Sequence, residues 1–328
     1  MQDIDKKSPR PIVTVVIPAY LRTAKLAEAI RSLLLQDLPA DGYEIVVVDS
    51  SPDETNLRLV ESLQAEALCS LRCLRKKPEG PGPSRNVGAN AGRGNFIAFM
   101  DSDCKASPGW LRSGIAGFNS PRVGLVQGKT MPEPGAPHSV FNWYIQIERE
   151  SFLYETANIF YRRQAFERAG GFLADMRPTA EKPVGGEDVD LAWKVKRAGW
   201  ESRFVDEALV YHEVVRMRLL RWFVNHRLYI CPKFVHDYPE LRQFFVYGYF
   251  YEPIQVWVVL ALFGILLAPL TLWALVLILP YIAARGSESS RTLKGPLRLV
   301  RVALYAPRDF ASFAVLFAGS LRYGALLL

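Results

Sequence analysis

The nine residues Phe96–Cys104, FIAFMDSDC, decide how this chain is read. FIAFM is a short unbroken apolar run, as a buried strand requires, and it ends directly on Asp101-Ser102-Asp103. Working outward, three more strands are expected at Ile12–Ile17 (IVTVVI), Tyr43–Val48 (YEIVVV) and Ser70–Arg75. Stretches of helical period lie between them. Thr23 is placed to cap a helix through Gln36. Ser51-Pro52-Asp53-Glu54 has the form of a capping box with proline at the first helical position, which opens a helix near Pro52. The Gly/Pro/Asn-rich stretch Gly80–Gly94 has room for one short helix. Strand and helix alternating at this spacing predict an α/β fold: a mostly parallel central sheet with helices on both faces. Ligands of such sheets bind beyond the carboxyl ends of the strands, so the site is expected just after Ile17, Val48 and Met100.

The following stretch, Pro121 to His212, is less regular. It offers strands at Val123–Gln127 and Ala157–Tyr161, an aromatic-rich helix or loop at Phe141–Phe152, and a short helix ending in Gly170-Gly171. A helix of clear period opens at Glu187, with Val189, Leu191, Ala192, Val195 and Ala198 on its packing face. A strand over Val205–Tyr211 ends at His212.

Four features carry chemistry. Asp101 and Asp103, one residue apart at a strand end, can converge on one hard divalent cation, Mg²⁺ or Mn²⁺. Such an ion neutralises a diphosphate and lets it leave as a stabilised anion. An isolated D-x-D is more often a polar turn, and only its place at a strand end favours the metal. Glu187 and Asp188 follow two glycines at a helix N-terminus, where the dipole favours carboxylates and one of them can accept a hydroxyl proton. Acids in a first helical turn also serve stability alone. In PGPSRNVGAN, backbone amides and Arg85 can meet phosphate oxygens, or the loop is only a turn. His212, alone, is an ordinary structural histidine; its place after the paired acids makes it a candidate metal ligand.

Composition narrows the classes further. Half of the 328 residues are hydrophobic and 22% are charged, which excludes a disordered or fibrous chain. Lys+Arg exceed Asp+Glu by 40 to 33, a net +7 that suits an anionic ligand, membrane surface or nucleic acid. Four cysteines in a chain of this length form no disulfide framework and no four-ligand zinc pattern, so reduced thiols are expected. The polar start MQDIDKKSPR does not read as a signal peptide.

Beyond His212 the material changes. A basic aromatic stretch, 213–253, carries Arg216, Arg218, Arg221, Arg227 and Lys233, and Ile254–Ala284 then contains no charged residue. That run reads as membrane-embedded. As one helix it would extend about 46 Å, beyond a ~30 Å hydrocarbon core. Positive charge on both flanks favours a hairpin bent near Pro269 that dips in from one face, with one tilted span as the alternative. The last segment, 285–328, is amphipathic and interfacial in character. Basic residues gathered beside the apolar run point to lipid head groups rather than nucleic acid.

Together and in this order, VVIPAY (Val15–Tyr20), VVVDSSPDET (Val46–Thr55), GPSRNVGANAGRGNFIAFMDSDC (Gly82–Cys104), ANIFYRRQAFERAGGF (Ala157–Phe172) and GGEDVDLAWKVKRAGW (Gly185–Trp200) resemble family 2 glycosyltransferases of the GT-A fold. The resemblance covers about two thirds of the chain. It implies a catalytic domain over 1–212, with a nucleotide-binding half near 12–104 and an acceptor half near 105–212. It implies that Pro18, Ala19 and Tyr20 line a nucleotide, that Asp49 hydrogen-bonds the base, and that Arg85 and Asn86 lie near the phosphates. Asp101, with Ser102, would meet the ribose; Asp101, Asp103 and His212 would hold Mn²⁺ or Mg²⁺. Asp188 matches the general base of an inverting transfer, and Glu187 orients acceptor or base.

Four departures stand out. Leu21 replaces an Asn common after the Pro-x-Tyr element, Ser50 replaces a second Asp, and the loop after Asp49 is about one residue short. Arg218-Leu219-Leu220-Arg221-Trp222 keeps the Arg and Trp of the Gln-x-x-Arg-Trp motif of polymer-forming members but lacks its Gln. Processive synthesis is therefore not expected. Arg221 and Trp222 stand at the acceptor side or on an interfacial helix. The implied activity moves a sugar from a nucleoside-diphosphate donor to a membrane-borne acceptor such as a lipid-linked saccharide. The implied place is the cytoplasmic face of a bacterial inner membrane. A nucleotidyltransferase is disfavoured because IPAYLRTAKL holds no glycine-rich phosphate loop, and a silent binding protein because both acidic pairs are kept.

Overall fold

The computed structural model describes residues 10–137, 139, 141–173, 185–287 and 298–328. The chain forms two compact units, one running to Arg216 and the other Met217–Leu328.

The first unit follows the order β1 (Val13–Ala19), α1 (Thr23–Leu34), β2 (Tyr43–Asp49), α2 (Thr55–Gln64), β3 (Ser70–Arg75), α3 (Pro81–Ala91), β4 (Phe96–Met100) and β5 (Cys104–Ala106). It continues with α4 (Trp110–Ala116), β6 (Val123–Pro132), β7 (Asn142–Trp143), β8 (Asn158–Arg162), α5 (Arg163–Arg168), α6 (Glu187–Arg197), β9 (Glu201–His212) and β10 (Val215–Arg216). Eight strands form one sheet in the order β3-β2-β1-β4-β8-β6-β9-β5, and β7 pairs with β10 apart from it. Strands β1 to β4 are parallel, as expected. The other half is mixed, because β8 runs antiparallel to both β4 and β6 while β9 is parallel to β6. The sheet is thus mostly parallel, as expected, with its antiparallel pairings confined to β4–β8, β8–β6 and β9–β5.

Alternation along β1 explains the two covered faces. Val15 and Ile17 share a core with Leu26, Ile30 and Leu33 of α1 and Val60 and Leu63 of α2. Val16 points to the other face, against α3, where a Cβ on Gly88 would lie 2.4 Å from Val16 Cγ1. Register then aligns the strand ends. Ala19 pairs with Asp49, and Val16 pairs with Phe99, which carries Asp101 to the level of Pro18.

Several local expectations are corrected. Thr23 opens α1 but caps nothing; its hydroxyl donates to Asn56 Oδ1 at 2.8 Å, and the N-cap is Arg22. The capping box at Ser51 does not form, and α2 begins at Thr55. The Ser51 hydroxyl is already committed, donating to Asp49 Oδ1 (2.6 Å) and accepting from Leu21 N (2.7 Å). Ala198 is exposed at the end of α6, while Trp193 is buried in its place.

The second unit contains α7 (Leu219–Phe223), α8 (Cys231–Asp237), α9 (Pro253–Leu267), α10 (Leu279–Ser287) and α11 (Arg298–Tyr323). The uncharged run is not one helix. It breaks after α9, turns through 268–271, and continues as 3₁₀ turns over Leu272–Ile278. That segment packs back on α9 so closely that a Cβ on Gly264 would meet Ala274 O at 2.7 Å. The break falls at Pro269, so the run is not one continuous helix. Among the described residues, no helix is long and apolar enough to cross a membrane. Asp309 of α11, read from sequence as interfacial, is buried: it accepts from Arg285 Nε and Tyr281 Oη of α10, both at 2.8 Å.

Candidate active site

Three groups gather at the aligned strand ends. At the end of β2, Asp49 is fully buried. Its Oδ1 accepts from Ser51 N (3.0 Å), Ser51 Oγ (2.6 Å) and Asn56 Nδ2 (3.0 Å). Its Oδ2 has no hydrogen-bond partner and faces Arg75 Nε at 3.6 Å. A buried acceptor left open this way is costly unless a donor completes it. An imide N–H of a nucleobase is such a donor. Ala19 is buried beside it, Pro18 is half-buried, and Tyr20 is 54% exposed, a ring open to a ligand.

At the end of β4 the chain turns through Asp101-Ser102-Asp103, all half-buried. Arg85 of α3 reaches them as a fork. One Nη donates to Asp101 Oδ1 at 2.7 Å and the other to Glu187 Oε1 at 3.1 Å. Burial opposes its charge, but Asp101 and Glu187 outweigh burial and hold the guanidinium firmly ionised. Gly185 and Gly186, at φ 102° and 99°, make the left-handed entry that puts Glu187 and Asp188 at the start of α6. Asp188 lies beside the fork. Burial first, then the charges of Glu187 and Glu155, push its carboxyl well above the ordinary range, against the pull of Arg85. A carboxylate in that condition is a stronger base than one in water.

The third group depends on topology. Strand β5 pairs with β9 so that Cys104 faces His212, which brings the buried imidazole beside Asp103. His212 Nδ1 lies 2.7 Å from the Glu213 carbonyl oxygen and donates to it, so the neutral ring presents its Nε2 lone pair. Burial lowers the proton affinity of the ring despite Asp103. Trp143 packs edge-on against it with ring centroids 5.2 Å apart. Among the described residues, Asp103, Cys104 and His212 form the one group whose donor atoms lie within 4.8 Å of one another. Asp103 Oδ1 and His212 Nε2 are 3.9 Å apart. Two ligands each ~2 Å from one ion can be no more than ~4 Å apart, so the pair fits a divalent cation. A carboxylate and an imidazole fixed by a carbonyl suit Mn²⁺ or Mg²⁺. The Cys104 thiol, pushed well up by burial and by both aspartates, stays protonated beside them.

Not every expected residue reaches this site as expected. Asp101 does not belong to the Asp103–His212 group; its carboxylate is turned to Arg85. Asn86 spends its side chain on Phe172, donating to the carbonyl (2.7 Å) and accepting from the N–H (2.9 Å), so it shapes the loop and is not presented to phosphate. Trp222 is buried in the second unit, stacked edge-on against Tyr305 at 5.3 Å with Arg308 over its ring at 5.2 Å. It packs α7 on α11 and offers no open face to an acceptor. The side chain of Arg221 lies outside the described residues.

Sequence reasoning missed four participants. Arg22 donates to Asp103 Oδ2 at 2.8 Å and pairs with Glu213, while Glu155 and the buried Tyr161 hydroxyl share the field of Asp188. Tyr161 lies inside ANIFYRRQAFERAGGF and Arg22 two residues past Tyr20, so both stood at quoted elements, whereas Glu155 and Glu213 sit in none.

Comparison with known proteins bears on the family and the fold. The model of glycosyl transferase family 2 matches residues 14–174, and that of glycosyl transferase family group 2 matches residues 96–287, more than half of the chain. Glycosyltransferase AglE of Haloferax volcanii is 25% identical over 211 residues, 62% of this chain and 67% of that protein. Pre-mycofactocin glycosyltransferase of Mycobacterium tuberculosis is 29% identical over 232 residues, 66% of this chain but only 46% of its own length. The structure of mannosyltransferase PcManGT from Pyrobaculum calidifontis, in complex with GDP-Man and Mn²⁺, superposes with a TM-score of 0.56 at 18% identity. That match covers 96% of this chain and 88% of the other, and it shows the shared GT-A-like fold. On its fold and its matched family models, the chain belongs to glycosyl transferase family 2.

Proposed function

We propose that this glycosyltransferase moves a sugar, with inversion, from a nucleoside diphosphate to a hydroxyl or phosphate of a membrane-borne acceptor. The observation that carries this reading is the alignment of Asp49 with Asp101 and Asp103 at the ends of β2 and β4, the two strands that flank β1, with Arg85 bridging from Asp101 to Glu187 of the Glu187–Asp188 pair. The open Asp49 Oδ2 takes a base N–H, and Tyr20 covers the base. Asp101, steadied by Arg85, is placed for the ribose. Asp103 and His212 are the residues that would hold Mn²⁺ or Mg²⁺, which when bound neutralises the departing diphosphate. Arg85 keeps Glu187 beside Asp188 so that the acceptor meets a fixed carboxylate pair. Asp188 takes the acceptor proton as the acceptor oxygen bonds to the anomeric carbon. The bond from that carbon to the diphosphate oxygen breaks on the opposite side, its electrons leaving with the nucleoside diphosphate.

The acceptor class rests on the second unit. Its hairpin turns outward a run of large apolar side chains, including Leu270 and Trp273, each 83% exposed. A patch of this kind, preceded in the sequence by Arg227, Lys233 and Arg242, suits insertion into an anionic lipid surface. In this reading it dips into the bacterial inner membrane from the cytoplasmic face, where nucleotide sugars are made, and the acceptor is a lipid-linked saccharide. The complex of PcManGT with GDP-Man and Mn²⁺ is consistent with the donor and metal.

The test combines purified protein, liposomes carrying a polyprenyl-linked saccharide, Mn²⁺ and a panel of nucleotide sugars. Release of nucleoside diphosphate, with inverted anomeric configuration by NMR, is expected. Release of pyrophosphate instead would assign a nucleotidyltransferase. Failure to sediment with anionic liposomes would remove the membrane from the account.

A further inference from the structure

Leu21 and Arg22 follow one another at φ 56° and 57°, in the left-handed region that L side chains enter sparingly. Two such residues in succession persist only where their surroundings hold them. Leu21 is held by its backbone: its N–H donates to Ser51 Oγ at 2.7 Å, and its carbonyl accepts from Asn56 Nδ2 at 3.3 Å. The Arg22 carbonyl accepts from Lys25 N (2.9 Å) and Leu26 N (3.2 Å) at the start of α1. The outcome of this unusual turn is that the Arg22 side chain lies over the end of β4.

There it shares one carboxylate with the candidate cation position. Nη1 donates to Asp103 Oδ2 at 2.8 Å, while Oδ1 of the same group faces His212 Nε2 and the Cys104 thiol, each at 3.9 Å. Nη2 pairs with Glu213. The arginine is the exposed member, its side chain 44% accessible against 15% for Asp103 and 18% for Glu213. It is therefore free to swing outward. Glu213 would keep a counter-charge when it does, because Lys25 Nζ lies 3.6 Å away. A guanidinium and a divalent ion on one carboxylate repel each other, so each weakens the other's hold.

We propose that Arg22 is a built-in stand-in for the divalent cation. It neutralises Asp103 in the unloaded protein, yields it to the metal, and turns to the diphosphate that arrives with the donor. This inference rests on the donor-and-metal reading above and adds a consequence to it. Metal alone binds weakly, nucleotide and metal bind with positive cooperativity, and Arg22 is the source of that coupling.

Full-length protein is titrated with Mn²⁺ by electron paramagnetic resonance, first alone and then with saturating UDP or GDP. Wild type is compared with Arg22→Gly, which suits the left-handed backbone, and Arg22→Gln, which removes the charge but keeps a polar side chain. Both variants should bind Mn²⁺ alone more tightly, about tenfold, within the range usual for coupled sites. The enhancement by nucleotide should shrink in both. A merely structural ion pair would leave Mn²⁺ affinity unchanged or weaken it, and that result in both variants overturns the proposal. Should wild type bind Mn²⁺ with nucleotide while the variants match it without, Arg22 alone is wrong. Should no protein bind Mn²⁺ in any mixture, the donor-and-metal reading falls as well.

Discussion

Replacing Arg85 with Met separates the charge of the fork from its bulk. The Arg85 side chain is 5% exposed, Glu187 9% and Asp101 28%. The pair with Glu187 is therefore the desolvated one, and the pair with Asp101 is partly screened and worth less. Removing one partner of a buried pair strands the other charge, at about 3–5 kcal/mol. Methionine keeps the apolar contact with Phe172, over whose ring the guanidinium sits at 5.7 Å, so packing loss should be small. Arg85→Met should thus cost about 3–5 kcal/mol in urea denaturation. Glu187→Gln alone should cost less, because Arg85 keeps Asp101 at 2.7 Å. The double variant should recover part of the loss, with a coupling of roughly 1–3 kcal/mol. A single Arg85→Met variant within about 0.5 kcal/mol of wild type would refute the reasoning, since that is what a surface substitution costs. Strict additivity in the double variant would refute it too.

Other outcomes follow from the same geometry. Asp188→Asn should lower turnover by about 10²–10⁴-fold while leaving nucleotide affinity intact, as single-turnover kinetics and calorimetry can separate. Because burial and the charges of Glu187 and Glu155 make Asp188 hold its proton to higher pH, activity should rise with pH through an elevated value. Glu155→Gln removes one of those charges and should move the rise to lower pH; movement upward, or none, would dissociate Glu155 from the base. Asp49→Asn should weaken nucleoside diphosphate binding by roughly tenfold or more, the worth of a hydrogen bond to a charged group. Unchanged affinity would put the base elsewhere. Gly88→Ala sets a Cβ 2.4 Å from Val16 Cγ1 and 3.1 Å from Val48 Cγ2, and should cost about 1–3 kcal/mol on denaturation unless α3 can lift from the sheet.

The strands and the acidic pairs could be read from the chain because both are local. An apolar run followed at once by Asp49 or by Asp101-Ser102-Asp103 places a carboxylate at a strand end whatever the sheet order. What the sequence hid depends on pairing between distant segments. Cys104 meets His212 only because β5 lies against β9, at the far edge of a sheet whose order is not sequential. Competition for a side chain defeats local rules in the same way. Ser51 has the form of a cap yet serves Asp49, and Asn86 sits in a phosphate-like loop yet serves Phe172. The Trp222 motif was ambiguous between acceptor and packing. Only the stack with Tyr305, more than eighty residues later, decides for packing. The bend of the uncharged run was readable because Pro269, in the middle of it, has no N–H to give a helix, although Pro307 inside α11 shows that a proline does not always end one.

Anomalous diffraction from crystals grown with Mn²⁺ and a nucleoside diphosphate tests the central claim most directly. The account predicts a manganese peak bonded to the Asp103 carboxylate and His212 Nε2, the base on Asp49 Oδ2, and Arg22 withdrawn from Asp103. A peak away from that pair, with Arg22 still on Asp103 and the Asp49 oxygen still open, would contradict it.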